Sequence, residues 1–266
     1  MLRSVKDLRG LSIRATDGEI GHVDEFFFDD AAWSIRYMVA NTSGWLIPET
    51  VLISPRSIRS VDWEERLVAV NLTRQQVKDA PSTETDQPVS RQMEIAHAAY
   101  YNYYPYWYGP GLWGGTGMPY YSGGIDAYAP VGMLATEREQ IRQDEIDYPT
   151  GDLHLRSTRE VSGYHIRATD GEIGHINDFI MDDATWALRY VVVDTHNWWP
   201  GKQVLLAPTW ITAVNWDDRT VDVDIARETI KGGPEYDPTQ LNRAYEQRLY
   251  RHYRQPSYWD EAPTKR

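Results

Sequence analysis

Ile13-Arg-Ala-Thr-Asp-Gly-Glu-Ile-Gly-His22 recurs letter for letter as Ile166–His175, and the reading of this chain grows outward from that decapeptide. Laid over Leu155–Pro234 at a constant offset of 153, Leu2–Pro81 aligns without a gap, and about 36 of about 80 positions are identical. Self-similarity on this scale marks a duplicated supersecondary unit. The 266-residue length suits two small domains on the usual size prior, and the repeat gives the same count independently.

Around the decapeptide the signals are those of short strands and tight turns. Thr16-Asp17-Gly18 and Thr169-Asp170-Gly171 stand between apolar runs, and Asp-Gly is a hairpin signature. A strand near Leu11–Ala15 should therefore fold back on one near Glu19–Asp29. In the second strand, Ile20, Phe26 and Phe28 share one parity while Val23 and Phe27 take the other. That slip predicts a bulge near Gly21 or burial on both faces. Asp29-Asp30 and Asp182-Asp183 read as the next turn, followed by Trp33, Ile35, Tyr37 and Val39 at a period of two. Val221, Val223 and Ile225 alternate with Thr220, Asp222 and Asp224, a half-buried strand. Short helical segments over Thr73–Asp79 and Ala226–Lys231 are predicted to close the copies.

The order of strands, the Gly-Glu-Ile-Gly segment running into Asp-Asp, the Ile/Leu-Arg-Tyr strand and Val-Leu-Ile/Leu-x-Pro resemble the PRC-barrel family. That family includes the cytoplasmic part of the photosynthetic reaction centre H subunit and the C-terminal domain of a ribosome maturation factor. The resemblance covers both copies. It implies a mainly β protein built of two six-stranded barrels that serve protein contact, with no catalytic residue set to carry over. The resulting domain plan is a first barrel at 1–81, a linker at 82–154, a second barrel at 155–235 and a helical tail at 236–266.

Composition narrows the function. A net charge of −12 opposes bulk binding to nucleic acid or anionic membrane. The absence of cysteine removes disulfides, thiolate nucleophiles and cysteine-based metal sites. The first residues lack a signal-peptide apolar core, and no apolar run reaches spanning length, so the expectation is a cytoplasmic protein without a transmembrane segment. His22 and His175, repeated in place, could be metal ligands or proton shuttles, but a hydrogen-bonded packing role accounts for them better. The paired aspartates suit turn chemistry better than a calcium loop, whose alternating oxygen ligands they lack. Arg36 and Arg189, flanked by apolar residues, are expected to pair within the barrel, Arg36 with Asp24. No nucleophile–base set, phosphate-cradling loop or metal cluster appears at useful spacing. No catalytic, cofactor or metal residue is therefore assigned, and the chain reads as a non-enzyme.

The candidates for partner binding lie mainly outside the shared barrels. Tyr104, Trp107, Tyr108 and Trp113 belong to a Tyr/Gly/Pro-rich linker that either anchors a partner or a membrane interface, in peripheral association, or folds over the barrels. A charged helix over Thr136–Asp147 should follow it. In the tail, a helix over Pro238–Arg254 stacks Leu241, Tyr245, Leu249 and Tyr253 on one face and carries Arg248 and Arg251, suited to docking on its own barrel or on a partner. Trp45 in the first copy, and Trp198 and Trp199 in the second, mark loops where the copies diverge. The primary expectation is an interaction scaffold whose two barrels pack on each other. The alternatives are a subunit docked on a membrane electron-transfer complex, or a ribosome- or RNA-associated factor.

Overall fold

The computed structural model describes residues 1–42, 50–81, 89–109, 111–114, 118–119, 155–195 and 202–260. Trp45, Trp198, Trp199 and the Thr136–Asp147 segment lie outside them.

The protein is mainly β, with two seven-stranded sheets in two compact units. In one sheet, β2 (Ser12–Ala15), β3 (Gly18–Asp29), β4 (Ser34–Asn41), β5 (Thr50–Ile53), β6 (Ile58–Asp62) and β7 (Leu67–Val70) run in the order β5-β4-β3-β2-β7-β6. The other repeats that order with β9 (His165–Ala168), β10 (Gly171–Asp182), β11 (Leu188–Asp194), β12 (Gln203–Leu206), β13 (Ile211–Asn215) and β14 (Thr220–Val223). All pairings are antiparallel except β2 with β7 and β9 with β14.

Seven strands, not six, form each sheet, because a three-residue strand is added from the other repeat. β1 (Leu2–Ser4) pairs with β10, setting Leu2 opposite Asp182 and Ser4 opposite Ile180. β8 (Leu155–Ser157) pairs with β3, setting Leu155 opposite Asp29 and Ser157 opposite Phe27. One unit consequently comprises Met1–Asp7, Thr158–Asp183 and Leu188–Arg266, and the other Leu8–Ser157 with Ala184–Ala187. The plan of a self-contained barrel at 1–81 differs from this partition at its first strand. Both strands read Leu-Arg-Ser, so either sheet offers that segment the same pairing, and spacing along the chain cannot choose between them.

Both predictions for the β3 slip hold together. Ile13 pairs with Gly21 and Arg14 with Glu19, leaving Ile20 as the extra residue of a bulge. Gly21, at φ +150°, passes so close to β4 that an added Cβ would lie 1.9 Å from the Asn41 carbonyl oxygen; at Gly174 the same atom would lie 2.0 Å from that of Asp194. Only glycine permits that approach. Phe26, Phe27 and Phe28 are all buried, since β3 and β4 are covered on both faces. One cover is a helix over Arg91–Tyr101, capped by Ser90, which brings Val89 and Met93 against Phe27, Tyr37, Val39, Leu52 and Leu155.

The hairpin turn differs from its prediction. Ala15 pairs with Gly18, so Thr16 and Asp17 form the turn, and positive φ falls only on Gly18. Asp17 is used instead as an acceptor for the Arg74 backbone N–H, 2.8 Å away, at the start of the Arg74–Lys78 helix. Asp170 does the same for Arg227. Thr73 and Gln76 complete a capping box on the first of these helices. The tail helix is shorter than predicted: a 3-10 turn at Pro238–Gln240 precedes a helix over Arg243–Tyr253, which Asn242 caps.

Candidate site: a duplicated guanidinium–carboxylate–tyrosine cluster

Arg36 is the extra residue of a second irregularity in the β3–β4 ladder, between the pairs Phe27–Tyr37 and Phe28–Ile35. A bulge re-aims a side chain, and here it sends the guanidinium to Asp29, with Nη2 donating to Oδ2 over 3.2 Å. Asp24, the expected partner, is not the one used, because the pairing register places Asp29 beside Arg36 and Asp24 near the other end of the strand. Arg189 occupies the equivalent irregularity between Ile180–Tyr190 and Met181–Leu188, and donates to Asp182 over 3.4 Å.

On each arginine lies a tyrosine from the part of the chain taken above as unshared. The Arg36 guanidinium is 3.7 Å from the Tyr106 ring centroid, and that of Arg189 is 4.3 Å from Tyr258. The Tyr106 hydroxyl donates to Glu94 Oε1 over 2.8 Å, and that of Tyr258 to Glu246 Oε1 over 2.9 Å. Each glutamate is buried and pairs three residues back with a helix arginine, Arg91 at 3.0 Å and Arg243 at 3.2 Å. Those arginines in turn cover Trp107 and Trp259, 4.2 and 4.0 Å from the ring centroids. Both helices span eleven residues and end on a left-handed cap, Asn102 and Arg254.

The duplication therefore extends past the strands. An Arg-x-x-Glu helix and a following Tyr-Trp pair recur at an offset of 152, and the linker and tail are its two copies. The signal was present as Arg91, Glu94, Tyr101, Tyr106 and Trp107 against Arg243, Glu246, Tyr253, Tyr258 and Trp259. Five identities in seventeen positions, displaced one residue from the main offset, are too sparse to stand out without the shared contacts.

Burial shifts the ionisable groups accordingly. Desolvation pushes the Tyr106 hydroxyl well above its usual range, with the Glu94 charge adding to the effect. Tyr258 is pushed up to about 12, again by burial and then by Glu246. Tyr190, which also donates to Glu246 Oε1, is raised by burial and by its neighbours Tyr250 and Glu246. All these hydroxyls stay protonated and donate to a carboxylate, which pins helix to sheet. In the first repeat, Tyr37 stands in the place of Tyr190, and His97 packs against it. Buried between Tyr37 and Tyr101, His97 has its Nε2 3.1 Å from the Leu52 carbonyl, and burial lowers its pKa to about 4.

The sequence candidates divide. Trp113 is 2% exposed, its Nε1 donating to the Thr185 carbonyl, and Tyr245 is equally buried, so both are internal packing residues. Trp107 and Tyr108 are half-buried, while Tyr104, Arg248 and Arg251 are exposed. His22 and His175 are half-buried on their strands. Among the described residues, no group of three or more His, Asp or Glu could hold a metal ion, and no helix is long and apolar enough to cross a membrane.

The buried Arg36, Glu94 and Glu246 are used in internal ion pairs, while Tyr104, Arg248 and Arg251 are exposed. Residues 2–76 match the family model of the PRC-barrel domain, a match that suggests a protein-interaction module. The matched stretch begins at the strand that completes the other repeat's sheet. None of the curated proteins matches this chain.

Proposed function

We propose that this chain is a non-catalytic, cytoplasmic scaffold that binds a partner protein through its helix-covered barrels. One observation carries the reading. The Arg243–Tyr253 helix is locked to its sheet by Tyr245, Glu246, Leu249, Tyr250 and Tyr253, which leaves Arg248 and Arg251 exposed on the opposite face of a chain whose net charge is −12. A cationic face maintained on an acidic protein steers an acidic partner and costs the fold little to keep.

The test is affinity capture from native cells with the intact chain and with the double variant Arg248→Glu/Arg251→Glu. Companions specific to the intact chain support the reading. Identical companions with both chains reject the helix face as the binding surface. Recovery of an integral membrane complex would favour docking on an electron-transfer assembly over a soluble scaffold.

A further inference from the structure

The two repeats differ in what stands between the covering helix and the Tyr-Trp turn that follows it. In the first, Ile95 is fully buried, with Trp107 and Tyr108 packed against it. At the offset of 152, Gln247 takes the place of Ile95 and Asp260 that of Tyr108, while the tryptophan is kept as Trp259. Gln247 and Asp260 are exposed and Trp259 is half-buried, so the apolar seal is gone. In its place the second repeat has a groove of about 560 Å³ whose walls include Gln247, Tyr250, Arg251, Arg254, Trp259 and Asp260. Both arginines are exposed, and among the described residues neither guanidinium has an ion pair. They stand where the first repeat has Ala99 and Asn102. Arg254 holds the left-handed cap at φ +54°, a conformation that suits asparagine better than arginine. A cation in the last turn complements the helix dipole, but that needs neither a groove nor an arginine at a left-handed cap.

We propose that this groove seats an extended acidic peptide segment of a partner protein, with carboxylates on Arg251 and Arg254 and an apolar side chain on Trp259. The proposal deepens the reading of the chain as a scaffold for an acidic partner and rests on it. Charge complementarity chooses the occupant. A guanidinium holds a carboxylate through two parallel N–H donors, and two guanidiniums three residues apart take two acidic side chains of one segment. The chain's own Glu261-Ala-Pro-Thr-Lys-Arg266 carries one acid and two bases, so it does not complement the arginine pair. Asp260 in the wall and the net charge of −12 oppose a polyanion such as nucleic acid more than a peptide with a few carboxylates. The half-buried Trp259 supplies an apolar contact that a phosphate backbone has no group to use.

The test uses the full chain and a fluorescein-labelled peptide, Gly-Asp-Glu-Leu-Asp-Glu-Gly, followed by fluorescence anisotropy at about 50 mM salt, where screening is weak. The expected result is saturable binding below about 1 mM, weakened about tenfold by Arg251→Ala/Arg254→Asn, which installs the first repeat's residues. Arg248→Ala, outside the groove, should weaken it less than about twofold. Gln247→Ile/Asp260→Tyr rebuilds the apolar seal, keeps both arginines and removes a negative charge. It should weaken binding about tenfold, whereas attraction to surface charge at large would make it stronger. Equal or tighter binding by the sealed variant at an unchanged melting temperature, no saturation, or tighter binding of an oligothymidylate of equal charge would overturn the proposal. If the sealed variant does not fold, Asp260→Asn must tighten binding and Arg254→Asn alone must weaken it. No peptide binding, with companions still lost from the Arg248→Glu/Arg251→Glu variant, rejects the groove and leaves the scaffold reading standing. Peptide binding with identical companions in that variant rejects the scaffold's helix face and not the groove.

Discussion

Ser4 donates a hydrogen bond from Oγ to Asp178, 174 positions along the chain, and Ser157 does the same to Glu25, which occupies the place of Asp178 in the first repeat. The neighbouring arginines follow suit, Arg3 with Asp183 at 3.4 Å and Arg156 with Asp30 at 3.3 Å. Strand sequence, register and side-chain contacts are thus the same in the two grafts, and each repeat's opening strand completes the sheet of the other. Asp178 gains from this as well: burial raises its pKa, while Ser4 and the Phe179 and Lys6 backbone N–H groups oppose the shift.

Deletion of residues 1–7 should therefore expose β10 and leave β3 protected. Hydrogen exchange read by mass spectrometry is expected to accelerate at Ile180–Asp182 and stay unchanged at Phe27–Asp29. The reverse pattern would mean that the strand belongs to its own repeat.

Glu246 is the acceptor of two tyrosine hydroxyls and the partner of Arg243, so Glu246→Ala leaves Tyr190 and Tyr258 without their acceptor. The cost should be about 2–4 kcal/mol. Urea denaturation will show it as a lower midpoint, with a smaller loss for Glu246→Gln, whose amide oxygen still accepts.

His97 gives the first repeat a pH dependence that its counterpart, Leu249, cannot have. Burial depresses the histidine pKa to about 4 from an ordinary value of 6.5, so the unfolded chain takes up the proton first. The stability it contributes is fully present above pH 6.5 and is lost as pH falls through 4, by up to roughly 3 kcal/mol. His97→Leu should flatten the melting temperature across that window. An unchanged slope would assign the dependence elsewhere.

Trp113→Ala removes a fully buried indole together with its hydrogen bond to Thr185, and should destabilise the protein by about 3–5 kcal/mol. Tyr104→Ala, at an exposed position, should change stability by less than about 0.5 kcal/mol. Calorimetric melts of the two variants separate a packing residue from a surface one within the same aromatic run.

Gly21→Ala and Gly174→Ala each force a Cβ into a carbonyl on the adjoining strand, and at a positive φ. A loss of about 3 kcal/mol or more is expected for either, read by thermal melting, because the backbone of a central strand pair cannot yield.

What the amino-acid order determined by itself was local and periodic. The duplication, the strand run from Leu11 to Asp29, the slip around Gly21 and the small closing helices are written in neighbouring residues, because alternation and turn chemistry act over a few positions. The tertiary structure decided everything that depended on a choice between equivalent partners. Two identical Leu-Arg-Ser strands could satisfy either sheet, and Arg36 could reach more than one aspartate until the bulge aimed it at Asp29. The Arg-x-x-Glu helices and Tyr-Trp pairs became recognisable as copies only when seen gripping the same strand arginine. Contacts between residues far apart in the chain carry no periodic signature, and burial on a packed sheet is what selects among them.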